Sequence, residues 1–210
     1  MKLIDPFYEI ISDINGDDAL ESVEESARTS TLSFNEMNGG QYNERLIKIL
    51  ISKGHYTPFE FYDITIRTTS SRAVLDEWRT HRVGSYVMSS TRYCNFLKER
   101  FHKEVTFCKP EYVDDTADNE WALAMIRAEQ SYFYLLQKGW KTEQARGVLP
   151  LDVASTMTIK YNLRQWREFF KLRTHKSTHS EFRRITIPLL NEFKEKIPLV
   201  FDDINPVNHL

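Results

Sequence analysis

The sequence predicts an α+β fold on three observations. Apolar residues recur at helical spacing in several segments. Alternating, β-branched runs mark at least two strands. The two kinds of element also follow one another without the regular strand–helix–strand rhythm of a doubly wound sheet. With 210 residues, 41% of them hydrophobic, the chain can bury a sizeable core as one domain over residues 1–210.

The elements are read in chain order. Residues 13–22 are polar and read as a loop leading into a helix. A second loop covers residues 33–40, where Asn38, Gly39 and Gly40 break regular structure. From Tyr42 to Lys53, Leu46, Ile47, Leu50 and Ile51 recur at helical spacing, and Gly54 supplies the stop. Phe61 to Arg67 alternates and is rich in Tyr, Ile and Thr, the pattern of a strand. Ser70 and Ser71 can cap a helix starting near Arg72 that carries Val74, Leu75 and Trp78.

Val83 to Tyr93 fits neither period, and residues 110–119 read as a surface loop. A long helix is predicted from Glu120 to Lys138, with Trp121, Met125, Tyr132 and Leu136 on its apolar side and Gly139 as the stop. Asp152 to Tyr161 reads as a strand, and Leu163 to Leu172 as a helix. Ser180 to Lys196 is a further helix that Pro188 is expected to kink or interrupt.

Charge and cysteine usage narrow the function. The 28 basic and 30 acidic residues nearly cancel, which does not suggest a general binder of nucleic-acid polymers or membrane surfaces. No stretch approaches the ~20 apolar residues of a membrane span. The N-terminal MKLIDPFYEIISD carries acids where a secretory signal needs an apolar core, so a cytoplasmic location is expected. Cys94 and Cys108 lack CxxC spacing, which argues against a disulfide framework or a cysteine zinc site. His175 and His179 stand four apart, as two zinc ligands on one helical face would, but no third ligand is near and no metal is expected.

Three stretches gather polar and cationic residues beside apolar ones: Gly54–Phe61, Glu77–Tyr93 and Ala145–Arg173. Arginine forks match phosphate bidentately, so the clustered Arg79, Arg82, Arg92, Arg146, Arg164 and Arg173 suit an anionic ligand such as a nucleotide. Taken singly, each is compatible with an ordinary surface charge. The seven glycines form no dinucleotide or P-loop signature. Ser85, Ser89 and Ser90 lie near His81 in sequence, without the GxSxG of a nucleophile elbow.

Thr80-His81-Arg82, seven residues, then Ser90 and Arg92-Tyr93 resemble the Arg-His-Arg signature of the flavin-dependent thymidylate synthase family. Ala27-Arg28-Thr29-Ser30, Gly54-His55-Tyr56-Thr57-Pro58-Phe59-Glu60, Arg146-Gly147-Val148-Leu149-Pro150, Asn162-Leu163-Arg164 and Phe169-Phe170-Lys171-Leu172-Arg173 resemble its other elements, in order, over roughly Ile10 to Phe201.

The resemblance implies an α+β domain with a central, mostly antiparallel sheet flanked by helices, assembled as a homotetramer with sites between subunits. It also implies FAD, NADPH as reductant, 5,10-methylenetetrahydrofolate as one-carbon donor, and conversion of dUMP to dTMP. By position, Ser30, Thr57, Thr80, His81, Arg82, Asn162, Arg164 and Glu168 face the flavin. Ser90, Arg92, Arg146 and Arg173 meet the pyrimidine deoxynucleotide, with Glu77 and Arg79 beside it, and Arg173 is the candidate catalytic residue. The family needs no cysteine nucleophile, so Cys94 reads as a small packing residue.

Four departures accompany the likeness. Thr80 replaces the first arginine of the tripeptide, Val87-Met88 stands for an Asn-Glu pair, Glu77 for a glutamine, and Glu168 for an Asn or His. A carboxylate at Glu77 repels a phosphate unless Arg79 compensates it. These departures leave two readings, a divergent thymidylate synthase or a relative acting on another pyrimidine, such as a dCMP hydroxymethylase. A non-catalytic binding relative is a third, against which the retained Arg146, Asn162, Arg164 and Arg173 argue.

Overall fold

A computed structural model describes residues 1–37, 41–111 and 118–206, with the backbone alone for 118 and 119. In chain order the elements are β1 (Lys2–Ile4), β2 (Phe7–Ile10), α1 (Gly16–Thr29), α2 (Glu44–Ser52), β3 (Asp63–Ser71), α3 (Arg72–Trp78) and β4 (Ser85–Met88). There follow β5 (Thr106–Cys108), α4 (Asp118–Gln137), α5 (Thr142–Ala145), β6 (Ala154–Asn162), α6 (Leu163–Arg173), α7 (Ser180–Lys196) and α8 (Pro198–Phe201). The fold is α+β, with an antiparallel sheet of order β2-β3-β6-β4 and a separate parallel pair, β1-β5.

The described residues form two compact units, and β3 and β6 each supply residues to both. The first comprises Met1–Phe7, Thr68–Thr80 and Tyr86–Thr158. In it, Lys2, Leu3 and Ile4 of β1 pair in parallel with Thr106, Phe107 and Cys108 of β5. Its core gathers Phe96, Val105, Phe107, Met125, Tyr132, Ala145 and Val153. The Trp121 indole N–H donates to Asp152 at 2.8 Å. Ser71 caps α3 as its sequence suggests, its hydroxyl accepting from the Val74 amide at 3.3 Å.

The second unit comprises Tyr8–Arg67, His81–Ser85 and Ile159–Leu210. Its core is aromatic: Tyr161, Trp166, Phe169, Phe170, Phe182, Phe193 and Phe201 are all essentially fully buried. Trp166 stacks on Phe170 at 5.5 Å, and Phe193 closes edge-on against both at 5.1 Å. Such offset and edge-on arrangements add to the burial of the rings themselves. Arg167, also buried, forks onto Asp203 at 2.6 and 2.7 Å and donates to the Val200 carbonyl, tying α6 to the segment after α8.

Several expectations are corrected. Residues 16–22 are helix, because Asn15 accepts from the Asp17 amide at 3.0 Å and Asp17 and Asp18 favour the positive end of the helix dipole. Pro188 does not interrupt α7. It sits on the exposed face, while Ile185, Leu189, Leu190 and Phe193 are buried on both sides of it and hold the helix through. Residues 118 and 119 open α4, and the remaining loop residues 112–117, like residues 38–40, lie outside the described residues. Strands β1, β2, β4 and β5 are three or four residues long, too short for a period to show. Among the described residues no helix is long and apolar enough to cross a membrane.

Gly16 opens α1 against the end of α7, where a Cβ would run into the Lys196 carbonyl oxygen. Helix propensity alone would favour Gly16→Ala by roughly 0.5–1 kcal/mol. The clash with backbone reverses the sign, and we expect a net loss of about 1–3 kcal/mol in urea unfolding.

Candidate active site

Helix α6 sets the geometry of the site in the second unit. Asn162 caps it, its side-chain oxygen accepting from the Gln165 amide at 2.8 Å. Trp166, Phe169 and Phe170 bury one face, and the Trp166 indole N–H donates to the Ile64 carbonyl at 3.1 Å. Arg173 lies seven residues after Trp166 on that same face, at the last turn, where a cation also complements the helix dipole.

There the Arg173 Nε–H donates to His81 Nε2 at 2.6 Å. The guanidinium lies over the Phe182 ring, 5.2 Å from its centroid. The His81 ring meets Phe169 edge-on at 5.0 Å. Burial, and then the positive charge of Arg173, push the His81 pKa down from 6.5 to about 4.

The other expected cofactor residues belong to the same unit, except Thr80, which closes the Thr68–Thr80 stretch of the first. Ser30 and Thr57 line one cleft of about 370 Å³ with Ser26, Leu50, Pro58 and Phe61. Thr57 opens a 3-10 turn, Thr57–Phe61, with Pro58 in its first positions. Ser30 follows α1, whose end is pinned by buried Arg28: its guanidinium bonds Glu24 at 2.6 Å and Glu36 at 2.7 Å. Arg164, at the start of α6, pairs with Glu60 at 2.5 Å, both partly exposed. Glu168 pairs with Lys171 at 3.1 Å, and Arg82 is exposed.

The expected nucleotide residues, Arg173 apart, belong to the first unit. Arg92 turns its amide onto the Ser90 hydroxyl at 3.3 Å and its guanidinium onto Glu143 at 3.1 Å. Both side chains line a groove of about 450 Å³ with Trp140 and Lys141. Arg146 donates to the Thr91 hydroxyl at 3.1 Å, which places it against the residue between Ser90 and Arg92. At the end of α3, Arg79 pairs with Asp76 at 3.2 Å, and the Thr80 hydroxyl donates to the Glu77 carbonyl at 2.7 Å. Arg79, expected to compensate Glu77, thus pairs with the neighbouring carboxylate Asp76. Val87 is 75% exposed on the edge strand β4, while Met88 is half-buried.

Sequence reading missed the partners: Glu60, Glu143, Thr91 and Phe182. Glu60 stands inside a motif that drew attention and was given no role. Glu143 and Thr91 meet their arginines across 51 and 55 residues of chain, which no local spacing reveals.

The structure of the UMP/dUMP methylase PolB from Streptomyces cacaoi, bound with 5-Br dUMP, superposes with a TM-score of 0.81 at 22% identity, covering 96% of each chain. Among sequence relatives, the flavin-dependent thymidylate synthase of Thermotoga neapolitana is 27% identical, covering 93% of this chain and 89% of its own. That of Pyrococcus abyssi is 31% identical, covering 80% and 68%. The family model described as thymidylate synthase complementing protein matches residues 10–199, and the chain belongs to this family of methyltransferase enzymes.

The lowered pKa of His81 has a consequence for stability. Between 6.5 and about 4 the unfolded chain binds a proton at this ring and the folded chain does not. Stability from this group is therefore intact above 6.5 and lost as pH falls towards about 4. Chemical denaturation across that window should show the loss in the parent and a smaller one in His81→Gln.

Proposed function

We propose that the chain reductively methylates C5 of dUMP to give dTMP, with FAD bound, methylenetetrahydrofolate as one-carbon donor and NADPH as reductant. The observation that carries this reading is the Arg173–His81 pair at the end of an aromatic-anchored helix that begins with Asn162 and Arg164.

The residues present fit a flavin dinucleotide. The cleft at Ser30 and Thr57 sets hydroxyls against the apolar walls of Leu50, Pro58 and Phe61, as a flat heteroaromatic ring system requires. Arg82 and Arg164 are exposed guanidinium groups suited to a diphosphate. In this reading Ser30, Thr57, Thr80, His81, Arg82, Asn162, Arg164 and Glu168 hold the cofactor. When bound, the flavin supplies the electrons of the reductive transfer.

The chain's own contribution is position and charge. Arg92 and Arg146 take the phosphate dianion by their forks, with the Ser90 hydroxyl donating beside them. Phosphate replaces Glu143 on Arg92, an exchange of one anion for another that costs little because the existing pair is exposed. Arg173 faces the pyrimidine edge and stabilises negative charge that develops on the ring as C5 is activated. Glu77 and Arg79 form the neighbouring wall. The same reading carries a homotetramer with sites at subunit boundaries, which the exposed Val83, Val87 and Tyr93 favour as apolar contact area.

The Glu77 and Met88 departures favour a second reading, a different pyrimidine such as dCMP, whose exocyclic amine suits a carboxylate acceptor. C5 tritium release from labelled dUMP and dCMP, run in parallel with reduced enzyme, separates the two. We expect release from dUMP, whereas release from dCMP alone would replace the first reading with the second. Arg173→Ala should lower turnover roughly 10²–10³-fold, and Arg173→Lys should restore little, because an ammonium does not reproduce the planar fork. Flavin affinity should survive both changes. Near-normal turnover in Arg173→Ala would remove the pyrimidine from this position.

A further inference from the structure

An arginine side chain has donors and no acceptor. The 2.6 Å contact between Arg173 Nε and His81 Nε2 is therefore a hydrogen bond in one direction, and it requires an unprotonated His81 Nε2. A neutral imidazole with that nitrogen bare carries its proton on Nδ1, so the contact fixes both charge state and tautomer. The surroundings agree. Burial and the positive Arg173 both disfavour imidazolium. Phe169, on the same helix as Arg173, sets the imidazole plane edge-on, and Phe182 of α7 underlies the guanidinium.

We propose that His81 is a positioning residue for Arg173, a neutral acceptor that fixes the angle at which the guanidinium is presented to the pyrimidine.

Three constraints then act on one planar group. The helix fixes its origin, with the Arg173 carbonyl itself held by the Thr186 hydroxyl at 2.8 Å. The Phe182 face fixes its plane, and His81 fixes its rotation within that plane. A neutral acceptor does this without cancelling the positive charge that a ring anion needs. A carboxylate in the place of His81 would orient equally well and oppose that charge. The specific role for the nucleotide rests on the function proposed above, whereas the tautomer and the orienting bond do not.

Two measurements on the full-length chain test this. The first is the 15N spectrum of histidine-labelled protein without ligand, with His81 assigned by the signal lost in His81→Gln. We expect Nε2 to stay unprotonated and Nδ1 protonated from pH 8 to pH 5, where an exposed histidine becomes imidazolium. A protonated Nε2 anywhere in that range overturns the proposal. The second is dUMP affinity by calorimetry. His81→Phe keeps the ring edge on Phe169 and removes the acceptor, and it should weaken binding about tenfold, the scale of one hydrogen bond to a charged group. His81→Gln, which carries an acceptor at a similar reach, should recover most of that loss. Equal losses in the two variants overturn the orienting role. If the parent chain binds no dUMP, the nucleotide reading falls and the nitrogen spectrum still decides the orienting bond.

Discussion

The packing of Trp166, Phe169 and Phe170 into the aromatic core is the constraint on which the rest of the second unit depends. These three rings are wholly buried and lock the rotation of α6 about its own axis. The Trp166 N–H to the Ile64 carbonyl fixes the height of the helix against β3. Once rotation and height are set, the position of Arg173 follows from the helical repeat: seven residues, two turns, the same face. A side chain on a helix end is otherwise poorly placed, because helix ends fray. Here the last turn is held by Thr186 on the backbone and by His81 and Phe182 on the side chain.

Four of the six arginines singled out by sequence fall into two physical groups. Arg92 and Arg164 pair with carboxylates, Glu143 and Glu60, at partly exposed positions. Such pairs contribute about 0–1 kcal/mol and exchange readily for another anion. They suit residues that must capture a phosphate and release it. Arg146 and Arg173 each donate to a neutral partner, Thr91 and His81, a contact that directs a guanidinium without itself neutralising it. They suit residues whose charge must act on a bound group. Under the proposed function, the division between capture and stabilisation lies in the chemistry of the partner, Glu against Thr or His, rather than in the arginines themselves.

This division explains what the sequence discloses and what it withholds. The long helices and β3 and β6 are legible because their apolar periods extend over nine residues or more. Asn162, Ser71 and Gly54 mark boundaries by local chemistry that needs no tertiary knowledge. The arginine motifs are legible as residue types, and their order along the chain carries the family. The partners are not legible, because Glu143, Thr91, Glu60 and Phe182 reach their arginines through the fold. Residues 16–22 read as loop for a different reason. Their exposed face is polar, and the helix is declared by Asn15 with Asp17 and Asp18, a cap signal rather than a hydrophobic one. Pro188 reads as a break in sequence, yet buried residues on both sides of it hold α7 together.

The central claim is that Arg173, held at Nε by His81, is the group that meets the pyrimidine. A crystal structure of the enzyme with flavin and dUMP bound tests it most directly. The account predicts the Arg173 guanidinium within hydrogen-bonding distance of the pyrimidine edge, with Nε still donating to His81 Nε2. A pyrimidine ring lodged elsewhere, with Arg173 facing solvent or turned away from His81, would contradict it.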